Sequence, residues 1–207
     1  MSEPRPLVVK IGGGLLRSEG LDGVRRACAE ALGLANARPV LVVPGGGPFA
    51  DAVRAVDAQV GLDDDVAHRM ALQAMDQLGV LLRPLLPGSE LLTDLTVPRS
   101  IALLAAAAAF GGRPEIPESW AVTSDSLAVL AAGAIGAEEA ILLKPAAVVL
   151  APAEQLTAEE LQMLQEGGSG RAVDAYLPEA IRRTGVVVTI RHPGSGRTSG
   201  TRITPGF

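Results

Sequence analysis

One cysteine, Cys28, is all the thiol this 207-residue chain carries. A disulfide framework and a cysteine zinc site are both excluded, and a reducing cytoplasm is the compartment that fits. Aromatic residues make up 2% of the chain, so its core must be aliphatic and rich in alanine. No apolar run is long enough to span a bilayer; even 101–110 is half the required length. The opening residues, MSEPRP, lack the pattern of a secretory signal. Positive charge is also short: 18 basic residues stand against 23 acidic ones, for a net charge of −5. That balance argues against nucleic acid or an anionic membrane as partner. The sharpest scarcity is lysine. The chain has two, Lys10 and Lys144, and every other basic side chain apart from histidine is arginine.

What is present is a globular composition, 48% hydrophobic. The run Leu7–Ile11 reads as a strand buried on both faces. Glycines follow, then a helix over 21–35, a strand over 39–43, a second glycine cluster and a helix over 49–60. This alternation predicts parallel βαβ units with right-handed crossovers. A long helix is expected over 64–82, its acidic start favoured by the helix dipole. Weaker signals place a short strand at 90–92 and a helix or helix-strand segment at 101–109. Residues 121–123 read as a short strand turning into a helix capped by Ser124 or Asp125. A strand over 140–143 ends at Lys144. Thr157 and Glu160 have the spacing of a capping box, and a further helix over 173–184 ends at Gly185. Strands at 186–190 and 201–204 close the chain.

Two glycine clusters, Gly12-Gly13-Gly14 and Gly45-Gly46-Gly47, follow neighbouring strands. In open α/β sheets ligands bind beyond the carboxyl ends of the strands. Backbone amides and helix N-termini there make anion sites without basic side chains. Two such clusters point to two anionic groups held face to face. Neither is a Walker A loop, and neither spaces its glycines as a dinucleotide fingerprint does. Phosphoryl transfer fits better, because it asks chiefly for in-line positioning and positive charge on the equatorial oxygens. Lys10 and Lys144, both at ends of apolar strands, are the candidate charges; the bland alternative is a pair of snorkelling surface residues. Asp125 is either an N-cap or a functional carboxylate that holds both lysines in position or helps place Mg²⁺. Thr123 and Ser124 offer turn hydroxyls with a possible phosphate contact.

The segments VVKIGGGLL, VVPGGGPFADAVR, VTSDSLAVLAA, AILLK and GTRIT together resemble the amino acid kinase superfamily. They run from the first strand to the last. The resemblance implies a three-layer αβα sandwich with a mostly parallel sheet. It implies one amino acid kinase-like domain over 1–207, with an acceptor lobe to about residue 119 and a nucleotide lobe beyond. Within the superfamily, DDDVAHRMALQAMDQLGVLL and SWAVTSDSLAVLAA are similar to the aminomethylfuranmethanol phosphate kinases of methanofuran and methylofuran biosynthesis. That branch converts a furanmethanol monophosphate to its diphosphate with ATP.

By resemblance, Lys10 contacts the transferred phosphoryl group, Gly12, Gly13 and Gly14 cradle the ATP phosphates with Thr123 and Ser124 nearby, and Gly45, Gly46 and Gly47 face the acceptor. Asp125 organises the lysines, and Lys144 stabilises the leaving ADP. Arg54 and Arg69 are added on physical grounds, since a phosphorylated acceptor needs a cation; a solvated helix face is an equal reading for each. His68 reads as a surface or internally satisfied histidine, and Trp120 as packing near the second lobe. The expected cofactors are ATP and Mg²⁺, with no metal ligated by the protein's own cluster, and a homo-oligomer is expected.

The sequence departs from the superfamily after Lys144, where KPAAVVLAP has no acidic residue and no glycine. This implies a differently built nucleotide lobe. It also keeps open a non-catalytic anion- or nucleotide-binding storage protein on the same fold; within the kinase class, the alternative acceptor is a nucleoside monophosphate or an acidic metabolite. The loops 167–170 and 192–200 read as lids or as solvent loops.

Overall fold

The computed structural model describes residues 4–148, 155–166, 173–195 and 200–206. In chain order these form β1 (Leu7–Ile11), α1 (Gly13–Ala35), β2 (Val40–Pro44), α2 (Gly47–Val60), α3 (Asp64–Leu82), β3 (Glu90–Leu92), β4 (Ile101–Leu104) and α4 (Ala106–Phe110). They continue as α5 (Ser124–Ala134), β5 (Glu139–Leu143), β6 (Gln155–Thr157), α6 (Ala158–Glu166), α7 (Leu177–Thr184), β7 (Val187–Arg191) and β8 (Thr201–Thr204). The strands make one sheet in the order β3-β4-β2-β1-β5-β7-β8-β6. Every pairing is parallel except β7 with β8. Helices cover both faces, giving the three-layer α/β sandwich.

Side chains alternate across a strand, and this decides which face each lysine joins. Leu7, Val9 and Ile11 pack on one face with Val40, Val42, α1 and the end of α3. Val8 points the other way and packs with Leu41, Val43, Ala140, Leu142 and the helices α5 and α7. Lys10 lies two residues on from Val8, and Lys144 two on from Leu142. The same alternation therefore carries both lysines to the α5 side. The register sets Lys10 beside Val43 on β2 and Leu142 on β5, so β1 is central at the carboxyl edge of the sheet.

Several sequence expectations need correction. α1 starts at Gly13 rather than Leu21, and Gly20, with φ +61°, breaks its path. Residues 121–123 are a turn, not a strand, because their polar backbone is used elsewhere: Ala121 O accepts from the Tyr176 amide, and the Thr123 amide donates to the Asp174 carboxylate. Neither Ser124 nor Asp125 caps α5; Asp174 does, from 51 residues away. Residues 173–176 precede α7 as a turn. Strand β6 was not anticipated. The capping box forms, with the Glu160 amide donating to Thr157 Oγ1 (3.2 Å) and the Thr157 amide to Glu160 Oε2 (2.7 Å). The 101–109 segment resolves into strand β4 and short helix α4. The loop 167–170 lies outside the described residues, as do 196–199 of the second candidate lid. No helix among the described residues is long and apolar enough to cross a membrane.

Candidate active site

The carboxyl ends of β1 and β2 are pressed together at their glycines. A Cβ on Gly13 would lie 2.2 Å from Gly47 N and Cα, and one on Gly12 would lie 2.7 Å from Leu143 O. Gly47 also has φ +54°, which side chains disfavour. No residue larger than glycine fits at Gly13 without parting the two loops. The Gly12 amide is committed to Leu143 O (3.0 Å) and the Gly45 amide to Ile11 O (2.9 Å), which prolongs the sheet ladder. These two glycines therefore build the floor rather than line the cleft. Gly13 and Gly14 open α1, Gly46 and Gly47 open α2, and all four line a cleft of about 300 Å³. First-turn amides have no intrahelical acceptor, so the loops offer two helix N-termini to one space.

Three charges lie at the bottom of this cleft. Asp125, in the first turn of α5, receives Lys10 Nζ on Oδ1 at 2.8 Å and Lys144 Nζ on Oδ2 at 2.6 Å. All three residues are buried, between 4% and 7% exposed. Burial opposes the Asp125 charge, yet the ammonium groups on either side hold its carboxyl well below the usual range. Burial also lowers the proton affinity of Lys144; the Asp125 charge counters this and Lys10 adds to it. One carboxylate thus ties two like charges together.

Behind Asp125, Asp174 Oδ2 accepts from the amides of Thr123 and Ser126 (both 3.0 Å) and from Thr123 Oγ1 (2.9 Å), and its Oδ1 accepts from Ser126 Oγ. The Thr123 and Ser126 hydroxyls are therefore occupied with Asp174. Burial, then the neighbouring Asp125 charge, pushes the Asp174 carboxyl up to about 6 against those hydrogen bonds.

The cleft mouth is basic and aromatic. Arg17, one turn into α1, pairs with Asp51 Oδ2 at 2.6 Å, and Arg54 pairs with Asp51 Oδ1 at 3.3 Å. The Arg54 guanidinium also stacks over Trp120, 4.5 Å from the ring centre, and Trp120 Nε1 donates to Asp57 Oδ2 at 2.7 Å. Thr123 and Ser124 line the same cleft. Arg69 does not; it faces outward and pairs with Asp65 at 2.9 Å. His68 is neither a surface residue nor internally satisfied: it is 6% exposed, lines the cleft, and makes no hydrogen bond among the described residues. Trp120 forms part of the cleft wall as well as packing. Arg17 was missed because α1 was expected to begin after it; Asp174 was missed because nothing local links it to α5.

A family model, Amino acid kinase family, matches residues 5–190. The chain belongs to that family. Among curated proteins it is 28% identical over 142 residues to the [5-(aminomethyl)furan-3-yl]methyl phosphate kinase of Methanocaldococcus jannaschii. That match covers 65% of this chain and 63% of the relative. Among solved structures, the uridylate kinase of Archaeoglobus fulgidus superposes with a TM-score of 0.72 at 19% identity, covering 96% of this chain and 99% of that one. The UMP kinase of Bacillus anthracis gives 0.71 at 15% identity, covering 99% and 97%. At these identities the two structures speak to the fold alone.

Proposed function

We propose that the chain transfers the γ-phosphoryl group of ATP to the phosphate of a small monophosphate, [5-(aminomethyl)furan-3-yl]methyl phosphate, giving the diphosphate and ADP. The observation that carries the reaction type is the Lys10–Asp125–Lys144 arrangement beneath two glycine-built helix N-termini. The relative in Methanocaldococcus jannaschii supports the acceptor.

In this reading an acceptor phosphate oxygen attacks the γ-phosphorus while the bond to the β,γ-bridging oxygen breaks. The attacking oxygen is already anionic, so no general base is needed. Lys10 supplies charge to the moving group and Lys144 to the leaving oxygens. Asp125 binds one ammonium group on each carboxylate oxygen and so fixes their separation. The first-turn amides of Gly13 and Gly14 fit the donor phosphates, and those of Gly46 and Gly47 the acceptor phosphate. Arg17 and Arg54 add the cations that a second phosphate demands. The nucleotide lobe is read as lying beyond residue 119, with residues 1–119 on the acceptor side, in one domain.

The donor set fits a polyphosphate but does not by itself hold Mg²⁺. Among the described residues no group of three or more His, Cys, Asp or Glu is arranged to hold a metal ion, and Asp125 is taken by both lysines. Mg²⁺ would arrive on the nucleotide. The test is ADP release with a panel of acceptors. Turnover with the furan phosphate supports the reading. Turnover with UMP and none with the furan compound overturns the acceptor. Nucleotide binding without ADP release under any acceptor would indicate a binding protein instead.

A further inference from the structure

We propose that His68 reads the amino group of the acceptor: its neutral imidazole accepts a hydrogen bond from the ammonium at the far end of the furan. This assignment rests on the acceptor named above and identifies the residue that would distinguish it from other small monophosphates.

The case starts from a largely buried side chain that lines the cleft and has no hydrogen bond among the described residues. A polar ring that is largely buried, has no protein partner and opens onto a cleft is placed to meet whatever the cleft holds. His68 is 94% removed from solvent by its 6% exposure, and its imidazole makes no hydrogen bond among the described residues. It also lines the cleft. α3 contributes His68, Ala71, Leu72 and Met75 to the cleft wall, so His68 is the one polar group on that wall.

Charge then sets the direction of the acceptor. The cations of the cleft are Lys10, Lys144, Arg17 and Arg54, and they belong to β1, the end of β5, α1 and α2. A monophosphate must place its phosphate among them. An acceptor that carries an ammonium at its other end must turn that end away from the cations. The α3 wall is the cation-free side, and there a desolvated ammonium needs an acceptor.

Histidine suits this only when neutral. Burial lowers its proton affinity, while the charge of Glu118 on the connector before α5 works the other way. The remaining charged groups that line the cleft with it are Lys10, Lys144, Arg17, Arg54 and Asp125. On its own helix Asp65 is held by Arg69 on the outer face. A neutral imidazole thus leaves one lone pair free for an N–H donor. Glu118 adds an attractive field for a cation.

The experiment compares kcat/KM for the furan phosphate with that for its isostere bearing ethyl in place of aminomethyl. The wild-type chain should prefer the amine by about tenfold to a hundredfold, the worth of one hydrogen bond to a charged group. His68→Leu should abolish the preference, and His68→Gln, which keeps an accepting oxygen, should restore part of it. The preference should also fall as pH drops below the ordinary histidine range, because an imidazolium repels the ammonium. Taking the ratio of the two acceptors cancels the titration of their shared phosphate.

Equal use of both furans by the wild-type chain, or an unchanged preference in His68→Leu, overturns the His68 assignment and leaves the kinase reading standing. Failure of both furans beside turnover of UMP overturns the acceptor and the assignment with it. Should His68→Leu not fold, the pH dependence of the wild-type ratio decides, and a flat ratio overturns the proposal.

Discussion

Asp174 holds the first turn of the helix from which Asp125 projects. Its Oδ2 binds the amides of Thr123 and Ser126, one on each side of Asp125. Two carboxylates thus serve one helix start with opposite consequences: Asp125 is stabilised as an anion by two lysines, whereas burial, and after it the Asp125 charge, makes Asp174 harder to ionise. A carboxyl raised from 3.8 to about 6 binds an extra proton in the folded state between those values. Its contribution to stability is full below 3.8 and is lost as pH rises through about 6. Asp174→Asn removes this titration. Urea unfolding followed across that window should show the wild-type chain losing stability with rising pH relative to the variant. A constant difference would mean that Asp174 does not titrate there.

The lysine pair gives a second expectation. Lys10→Ala and Lys144→Ala should each lower kcat by about a hundredfold to a thousandfold, the cost of removing one preorganised charge from a transition state. Both should stay folded, because Asp125 keeps one ammonium partner. Asp125→Ala differs. It leaves two buried ammonium groups facing each other without a counter-ion, which should destabilise the chain by about 3–5 kcal/mol. Thermal unfolding alongside steady-state turnover separates the two outcomes.

Two glycines allow a matched comparison. Gly13→Ala forces a Cβ into the Gly47 backbone and should cost about 1–3 kcal/mol or more, with loss of nucleotide binding. Gly33 sits exposed in α1, with nothing within 4 Å of the position its Cβ would take. Gly33→Ala should stabilise by about 0.5–1 kcal/mol. Unfolding curves for both variants check the signs.

At the mouth of the cleft, Arg54→Lys keeps the charge but loses the flat stack on Trp120. It should raise KM for the acceptor several-fold with little change in kcat. Arg17→Ala should act the same way. Arg69→Ala, on the outer surface with Asp65, should change neither constant. Initial rates at varied acceptor concentration decide each case.

The parallel sheet was legible because β1, β2 and β5 are continuous aliphatic runs that end in glycine or lysine. Lys10, Asp125 and Lys144 were nameable because each follows or opens an element whose boundary is sharp in the sequence. Their meeting needed two more facts: the side-chain alternation along β1 and β5, and a helix whose first turn faces the same layer. Arg17 stayed hidden because Gly20 interrupts the helical pattern and made α1 seem to start late. His68 carried no sequence mark that distinguishes a cleft wall from an exposed face, since α3 is amphipathic on both counts. Asp174 could not be read at all, because a cap supplied from a distant turn has no local spacing.

The scarcity of lysine has a consequence for covalent chemistry. Both lysine side chains of this protein, Lys10 and Lys144, stand at the floor of one cleft, 5% and 7% exposed. Reagents that acylate side-chain amines, and enzymes that acetylate them, therefore find no decoy on the outer surface. Any such modification of a side chain would fall on the pair bound to Asp125 in the cleft, and a ligand seated there would shield it.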